Sequence, residues 1–449
     1  MKLNILLLCN KPQVGHDADT IIEHISAFEN YSHHKVWVCS NIGNLPKQLE
    51  LDKFDVIIIH YSLCLFNSYY MSDAAKKKVR SFSGLKIVFV QDEYRQINKM
   101  IHVLKFLNVD ILFSCFPEIE INKIYTKESL PNVSKYNNLT GYISEKLLTN
   151  SKRKRISTRP IHVGYRARKL PFWYGELSYE KWNIVEQWRE HVSGKNLELD
   201  VDISYLENDR IYGHKWTEFL SSCKTTLGVE SGASVMDFTG ELEQKINLHQ
   251  LLNPNDSFFD VQARFLQDHE GQFKLNQISP RCFEAIALGT VLILYEGEYS
   301  GILIPERHYI ELKKDFSNIA HVIAKIKDDD YLQTMADVAF KEIALNPNYS
   351  YEGFVISVDD IIKREFRLRR KENAILPYSE SDFLRDIKTV PISDKIYQFG
   401  LRKYKRLPSF IQTVIKVIVK PKAIIKLIVI KKMILASKIR NVKHSGKIL

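Results

Sequence analysis

Residues 276 to 294 read Asn276-Gln-Ile-Ser-Pro-Arg-Cys-Phe-Glu-Ala-Ile-Ala-Leu-Gly-Thr-Val-Leu-Ile-Leu294, the stretch of the chain richest in usable chemistry. Ser279 suits a helix N-cap and Pro280 the first helical position, which aims backbone amides and a positive dipole end outward, with Arg281 beside them. That is an anion site in the making. Glu284 follows Arg281 by three residues and shares its helix face. A carboxylate there can accept hydrogen bonds from a ribose diol while the helix start and Arg281 hold a diphosphate. The competing reading is a plain surface ion pair between Arg281 and Glu284.

Three further segments could share this work. In His162-Val-Gly-Tyr-Arg-Ala-Arg-Lys169, Arg166, Arg168 and Lys169 follow an apolar run and are candidates for phosphate contacts, because the guanidinium fork pairs with phosphate oxygens in a bidentate way. A solvated basic turn is the alternative. Gly228-Val-Glu-Ser-Gly-Ala-Ser234 offers small residues that let a ligand approach backbone amides, with Glu230 and Ser231 at its mouth, or else it is a tight turn. In Glu296-Gly-Glu-Tyr-Ser-Gly301 the amides of Tyr299, Ser300 and Gly301 are favoured over the two carboxylates, which do not make a convincing metal site.

Nearer the N-terminus, His16 and Asp17 of Gly15-His-Asp-Ala-Asp19, together with His60 and Asp92 of Gln91-Asp-Glu-Tyr-Arg95, could bind an acceptor hydroxyl or act as its base. Equally, Asp17 or Asp19 caps a helix and His60 is a satisfied histidine at the edge of the core.

The elements that must position these groups follow from hydrophobic periodicity. Short β-rich runs at Leu3–Leu8, Lys35–Val38, Val56–Ile59, Ile87–Val90 and Ile111–Phe113 alternate with helical patterns at Asp19–Phe28 and Ile97–Leu107, as buried parallel strands with crossover helices do. The basic stretch Asn150–Pro160 has the composition of an exposed connection. A second set follows, with strands at Ile161–Tyr165, Leu197–Ile203, Thr225–Val229 and Val291–Tyr295. Its helices are expected at Tyr179–His191, His214–Ser221, Arg281–Leu288, Asn318–Ile326 and Tyr331–Leu345, with a mainly helical Leu242–Gln272. A further helix is expected over Tyr349–Lys371. The expected architecture is α/β: two Rossmann-like domains facing a cleft, residues 1–150 and 151–345, a helix crossing back over 346–380 and a basic amphipathic tail over 381–449. Ligands of open α/β sheets sit beyond the carboxyl ends of the strands, so the loops named above face the cleft.

On these residues the chain resembles GT-B glycosyltransferases, in which a helix-borne Glu is followed by Ala, a small residue, Gly and an apolar strand. Many retaining members carry a Glu, seven residues and a second Glu that holds the donor ribose. Glu284 matches the second, and Asn276 stands where the first would touch the transferred sugar. The local Arg-x-Phe-Glu is closer to a variant similar to bacterial polysaccharide glycosyltransferases and to the C-terminal domain of spore-maturation-like glycosyltransferases. The resemblance implies a nucleotide-diphosphate sugar as donor substrate bound by the second domain, a glycan or lipid-linked acceptor on the first, transfer with retention in surface polysaccharide synthesis, and no catalytic metal or other cofactor. Two rivals remain: a GT-B epimerase-like enzyme, which needs no acceptor, and a membrane-docked scaffold that binds nucleotide sugar without transfer. A phosphate-binding GxxxxGK[ST] loop is absent.

Composition bounds the setting. The net charge of +11 is misleading, because 14 Lys or Arg and no Asp or Glu fall in residues 401–449, which leaves 11 − 14 = −3 for the rest. The tail interleaves those lysines with Ile, Val and Leu on either side of Pro421 and has Tyr404 and Phe410 as its only aromatics. This pattern favours an anionic membrane interface over nucleic acid, with a helix packed on the catalytic domains as the alternative. Six scattered cysteines without a CxxC pair read as reduced core residues. With neither a signal peptide nor a run of the ~18–20 apolar residues a spanning helix needs, the expected location is cytoplasmic, peripheral on the inner face of the cell membrane.

Overall fold

The computed structural model describes residues 2–12, 19–150, 153–192, 198–369, 378–390 and 400. Of the predicted tail over 381–449, residues 391–399 and 401–449, and with them the membrane-binding segments, lie outside the described residues, as do His16 and Asp17.

The chain builds two wholly parallel sheets. The first contains β1 (Asn4–Cys9), β2 (Lys35–Ser40), β3 (Val56–Ile59), β4 (Leu85–Phe89), β5 (Ile111–Ser114) and β6 (Ser134–Asn137), in the order β2-β1-β3-β4-β5-β6. The second contains β7 (Ile161–Arg166), β8 (Val201–Ser204), β9 (Cys223–Gly228), β10 (Val291–Tyr295) and β11 (Tyr309–Leu312), in the order β11-β10-β9-β7-β8. Both are doubly wound α/β units, and together they give the two-domain arrangement facing a cleft that the periodicity predicts.

The inner strands of the first sheet, β1, β3, β4 and β5, are buried on both faces, which is why they read as continuous apolar runs. Along β1, Ile5, Leu7 and Cys9 pack into one core while Leu6 and Leu8 enter the other, the two-residue alternation of a strand. The core on the Ile5 side is completed from far along the chain: helix Tyr351–Arg369 returns from beyond the second sheet and inserts Tyr351, Phe354, Val355, Val358 and Ile362.

Several elements carry no apolar run that marks them in the sequence. β6 is Ser-Lys-Tyr-Asn, a polar edge strand paired with β5 alone, and β11 is a four-residue edge strand on β10. Helix Asp73–Ser81 has three consecutive lysines and is started by Ser72, whose hydroxyl accepts from the Ala75 amide. The basic connection is also less exposed than its composition suggests. Arg159 is 2 % exposed. It donates to the carbonyls of Cys223 and Leu288 and to the Thr290 hydroxyl, satisfying groups at the base of the second sheet.

Candidate functional site

Helix Pro280–Ala287 forms as its sequence dictates. Ser279 caps it, its Oγ accepting from the Arg281 amide at 3.4 Å; Pro280 occupies the first turn, and Gly289, at φ +71°, lies just beyond Leu288 at the C-cap. Phe283, Ile286 and Ala287 are buried, which turns Arg281 and Glu284 to the cleft.

Around them the cleft forms a connected trench. At one end, a cavity of about 280 Å³ is walled by Glu284, Arg281 and Trp216 of the second domain and by Asp19 and Glu23 of the first. Next to it, sharing Ser279, Arg281 and Trp216, lies one of about 340 Å³ that also takes in Arg168, Lys181 and Ser231. Sharing Arg168, Lys181 and Ser231 in turn, a cavity of about 240 Å³ spans to Asp92 of the first domain.

Glu284 is held ready rather than paired away. Its Oε2 accepts the indole N–H of Trp216 at 2.7 Å. Burial raises its carboxyl above the usual range, against the Trp216 hydrogen bond and the nearby Arg281 charge. Arg281 lies over the same indole, 4.8 Å from the ring centroid, and donates to the Arg166 carbonyl. Trp216 therefore orients both charged groups of the motif. Burial also lifts the neighbouring Glu23 carboxyl to about 7, reinforced by the charges of Glu284 and Asp19.

Lys181 is the cation that sequence reasoning missed. It lines two of the three cavities, and among the described residues its ammonium has no ion-pair partner. Burial lowers it to about 8; the Asp92 carboxylate opposes that shift, while Arg281 and Arg168 add to it. A signal existed: Lys181 stands four residues from both Leu177 and Val185, on the apolar face of helix Glu176–Val192. A lysine in that register needs a reason.

The structure distributes the predicted residues unevenly. Arg168 is exposed into the trench and, among the described residues, makes no hydrogen bond or ion pair. Arg166 is committed within its own domain, pairing with Asp202 at 2.7 Å and donating to the carbonyls of Tyr165, Asp202 and Asp209. Lys169 turns away onto Trp182, 4.5 Å from its ring centroid. Of this segment's predicted cations only Arg168 is left free in the trench, while Arg210, which the sequence did not single out, lines two of the cavities and pairs with Glu207 at 2.7 Å.

Glu230, Asn276 and the loop of Tyr299–Gly301 are brought together, but chiefly with one another. Glu230 Oε1 accepts the amides of Glu298 and Tyr299, and Oε2 accepts Asn276 Nδ2 at 2.7 Å. The Gly301 amide is spent on the Glu298 carbonyl, and Ser300 Oγ accepts the Ile278 amide at 3.0 Å. The Tyr299 ring is fully buried. Tyr299, Ser300 and Gly301 all adopt positive φ, and through Ser300 the loop holds the segment leading into Ser279. Ser231, by contrast, reaches the trench and is fixed by paired backbone bonds with Gln277. Gly232 beside it is obligatory: at φ +112°, a Cβ would stand 1.7 Å from the Leu275 carbonyl oxygen.

In the first domain, Asp92 adopts a left-handed φ of +57° at the end of β4 and projects into the trench opposite Lys181. Such strain is held by surroundings that over-determine it. Glu93 supplies them, its buried carboxylate taking the hydroxyls of Ser114 and Tyr125 and the Cys115 amide. His60 is not in the trench. It is wholly buried, its Nε2 3.0 Å from His24 Nδ1, and burial holds both rings well below the usual histidine range. The reading of His60 as a core histidine is the one the geometry favours. Among the described residues, no group of three or more His, Cys, Asp or Glu could hold a metal ion, and no helix is long and apolar enough to cross a membrane.

No family model and no curated protein matches the chain. Solved structures similar to it include an alpha-glucosyltransferase in complex with UDP-glucose and DNA containing an abasic site, at 12% identity and a TM-score of 0.48, covering 81% of this chain and 100% of that one. Others are the sucrose-phosphate synthase of Thermosynechococcus elongatus, at 12% identity and TM-score 0.45, and Anabaena HepE in complex with UDP, at 9% and 0.40. Each of these two covers 82% of this chain and 100% of its own.

Proposed function

We propose that the protein is a glycosyltransferase that moves a sugar from a nucleotide-diphosphate donor to a glycan or lipid-linked acceptor in bacterial surface polysaccharide synthesis. The observation that carries this reading is the alignment of Glu284, Arg281 and Lys181 along one trench that ends against Asp92 of the opposite domain.

Each group has a role its chemistry suits. Glu284 has one oxygen on Trp216 and the other open to a ribose hydroxyl. Ser279, the helix start and Arg281 take the diphosphate, with Arg168 and Lys181 on its far side. These cations neutralise the charge that grows on the leaving diphosphate as the glycosidic bond breaks, a stabilisation strongest in a site with little water. Asp92 stands where the acceptor hydroxyl must approach and is placed to accept its proton. The donor is the only small molecule required, and the tail over 401–449 attaches the enzyme to the anionic inner face of the cell membrane.

The test is transfer itself. Purified full-length protein, incubated with UDP-, GDP- and ADP-sugars and lipid-linked or free glycans, yields an elongated acceptor with one donor series. An interconverted nucleotide sugar without acceptor indicates epimerase-like chemistry instead, and tight donor binding without turnover of either kind leaves a binding scaffold.

A further inference from the structure

Beyond Asp92 the trench opens into a larger cavity of about 580 Å³. It shares Gln91, Asp92, Tyr94 and Tyr174 with the cavity that reaches Lys181, so the two are continuous. Its walls combine aromatic rings with uncharged polar side chains.

Phe66, Tyr94 and Tyr174 contribute rings to it, with Tyr94 and Tyr174 only 4.7 Å apart between centroids. The side-chain amide of Gln91 is half-buried in the wall and has no protein partner among the described residues. Among the described residues only two charged ones line the cavity. One is Asp92. The other, Arg95, is neutralised: a single guanidinium nitrogen lies 2.7 Å from each oxygen of Glu243 in the second domain, and the guanidinium also lies over Trp173.

This chemistry selects. A pyranose presents a face of C–H bonds that packs on aromatic rings, and hydroxyls that an open amide can serve from either end. An anionic ligand finds, among the described residues, no cation here but Arg95, already paired with Glu243, and it meets the Asp92 carboxylate, so most of its desolvation goes uncompensated. We infer that this cavity is the acceptor subsite and that it takes an uncharged saccharide, excluding polyol phosphates and uronic acids. The inference rests on the transferase reading above, and assigns to it the class of acceptor.

The experiment is saturation-transfer NMR on the full chain, with maltotriose and chitotriose as neutral probes and trigalacturonate and glycerol 3-phosphate as anionic ones, alongside donor binding in the same samples. At least one neutral trisaccharide is expected to bind. Phe66→Ala and Tyr174→Ala weaken that binding about fivefold or more, as truncation of a contact aromatic does. Tyr174→Phe, which keeps the ring, retains it, and donor affinity is unchanged in all three. Equal or better binding of the anionic probes, no binding of either neutral one, or indifference to both alanine variants overturns the inference. Loss of donor binding by the unaltered protein is a different failure, since it removes the transferase reading itself.

Discussion

Arg95 and Glu243 join the two domains at the rim of the trench, one guanidinium nitrogen standing 2.7 Å from both carboxylate oxygens. Backbone bonds run beside them, from the Asp237 amide to the Tyr94 carbonyl at 2.8 Å and from the Asn98 amide to the Phe238 carbonyl at 3.0 Å. The loop that carries Asp92 is therefore tied to the domain that carries Lys181. Glu243→Ala leaves a half-buried guanidinium unpaired, at a cost of about 1–3 kcal/mol. The expected result is a lower Tm and a fall in kcat with donor affinity retained, because Glu243 touches no donor group. Thermal melts and donor titration check this.

Lys181 predicts a pH dependence with opposite signs for stability and binding. Its folded pKa, lowered to about 8, means that the unfolded chain binds the extra proton between pH 8 and the ordinary lysine range. The cost of burying the charge is thus full below pH 8 and relieved as pH rises above it. Donor affinity moves the other way, falling above pH 8 as the ammonium that faces the diphosphate is lost. Lys181→Met removes both trends, weakening donor binding about tenfold or more at neutral pH and flattening its pH profile.

Glu93 gives a separate window. Burial raises its carboxyl to about 7, against hydrogen bonds from Tyr125, Ser114 and Cys115. A raised carboxyl favours the protonated fold, so this contribution is full below the ordinary glutamate pKa and is lost as pH rises through 7. Denaturant unfolding at pH 5 and pH 8 should differ less for Glu93→Gln than for the unaltered protein.

Much of this was legible in the sequence because the groups involved are local. The capped helix from Ser279, its cleft-facing Glu284 and the buried strands are each set by neighbours in the chain. What could not be read are partnerships across the fold. Nothing near Arg166 announces Asp202 as its partner, and nothing near Glu230 shows that its oxygens are taken by Asn276 and the Tyr299 amide. Trp216 lies 68 residues from the Glu284 it orients. Edge strands such as β6 were invisible because one side of an edge is wet and carries no apolar run.

Gly232 offers a structural check on the floor of the trench. Gly232→Ala forces a Cβ into the Leu275 carbonyl at a φ that side chains avoid, and should cost about 3 kcal/mol or more. The expected outcome is a variant that is poorly soluble or melts well below the unaltered protein. Ala233, which is buried beside it with ordinary φ, tolerates Gly with a loss of about 1 kcal/mol.

The most direct measurement is calorimetric titration of UDP-, GDP- and ADP-glucose into the full-length protein and into Glu284→Ala. The unaltered protein should bind one nucleotide series, and the variant should bind it about tenfold or more weakly while melting at a similar temperature. Equal affinity in the two proteins, or no binding of any nucleotide sugar by the unaltered one, contradicts the assignment of this trench to a nucleotide-diphosphate donor.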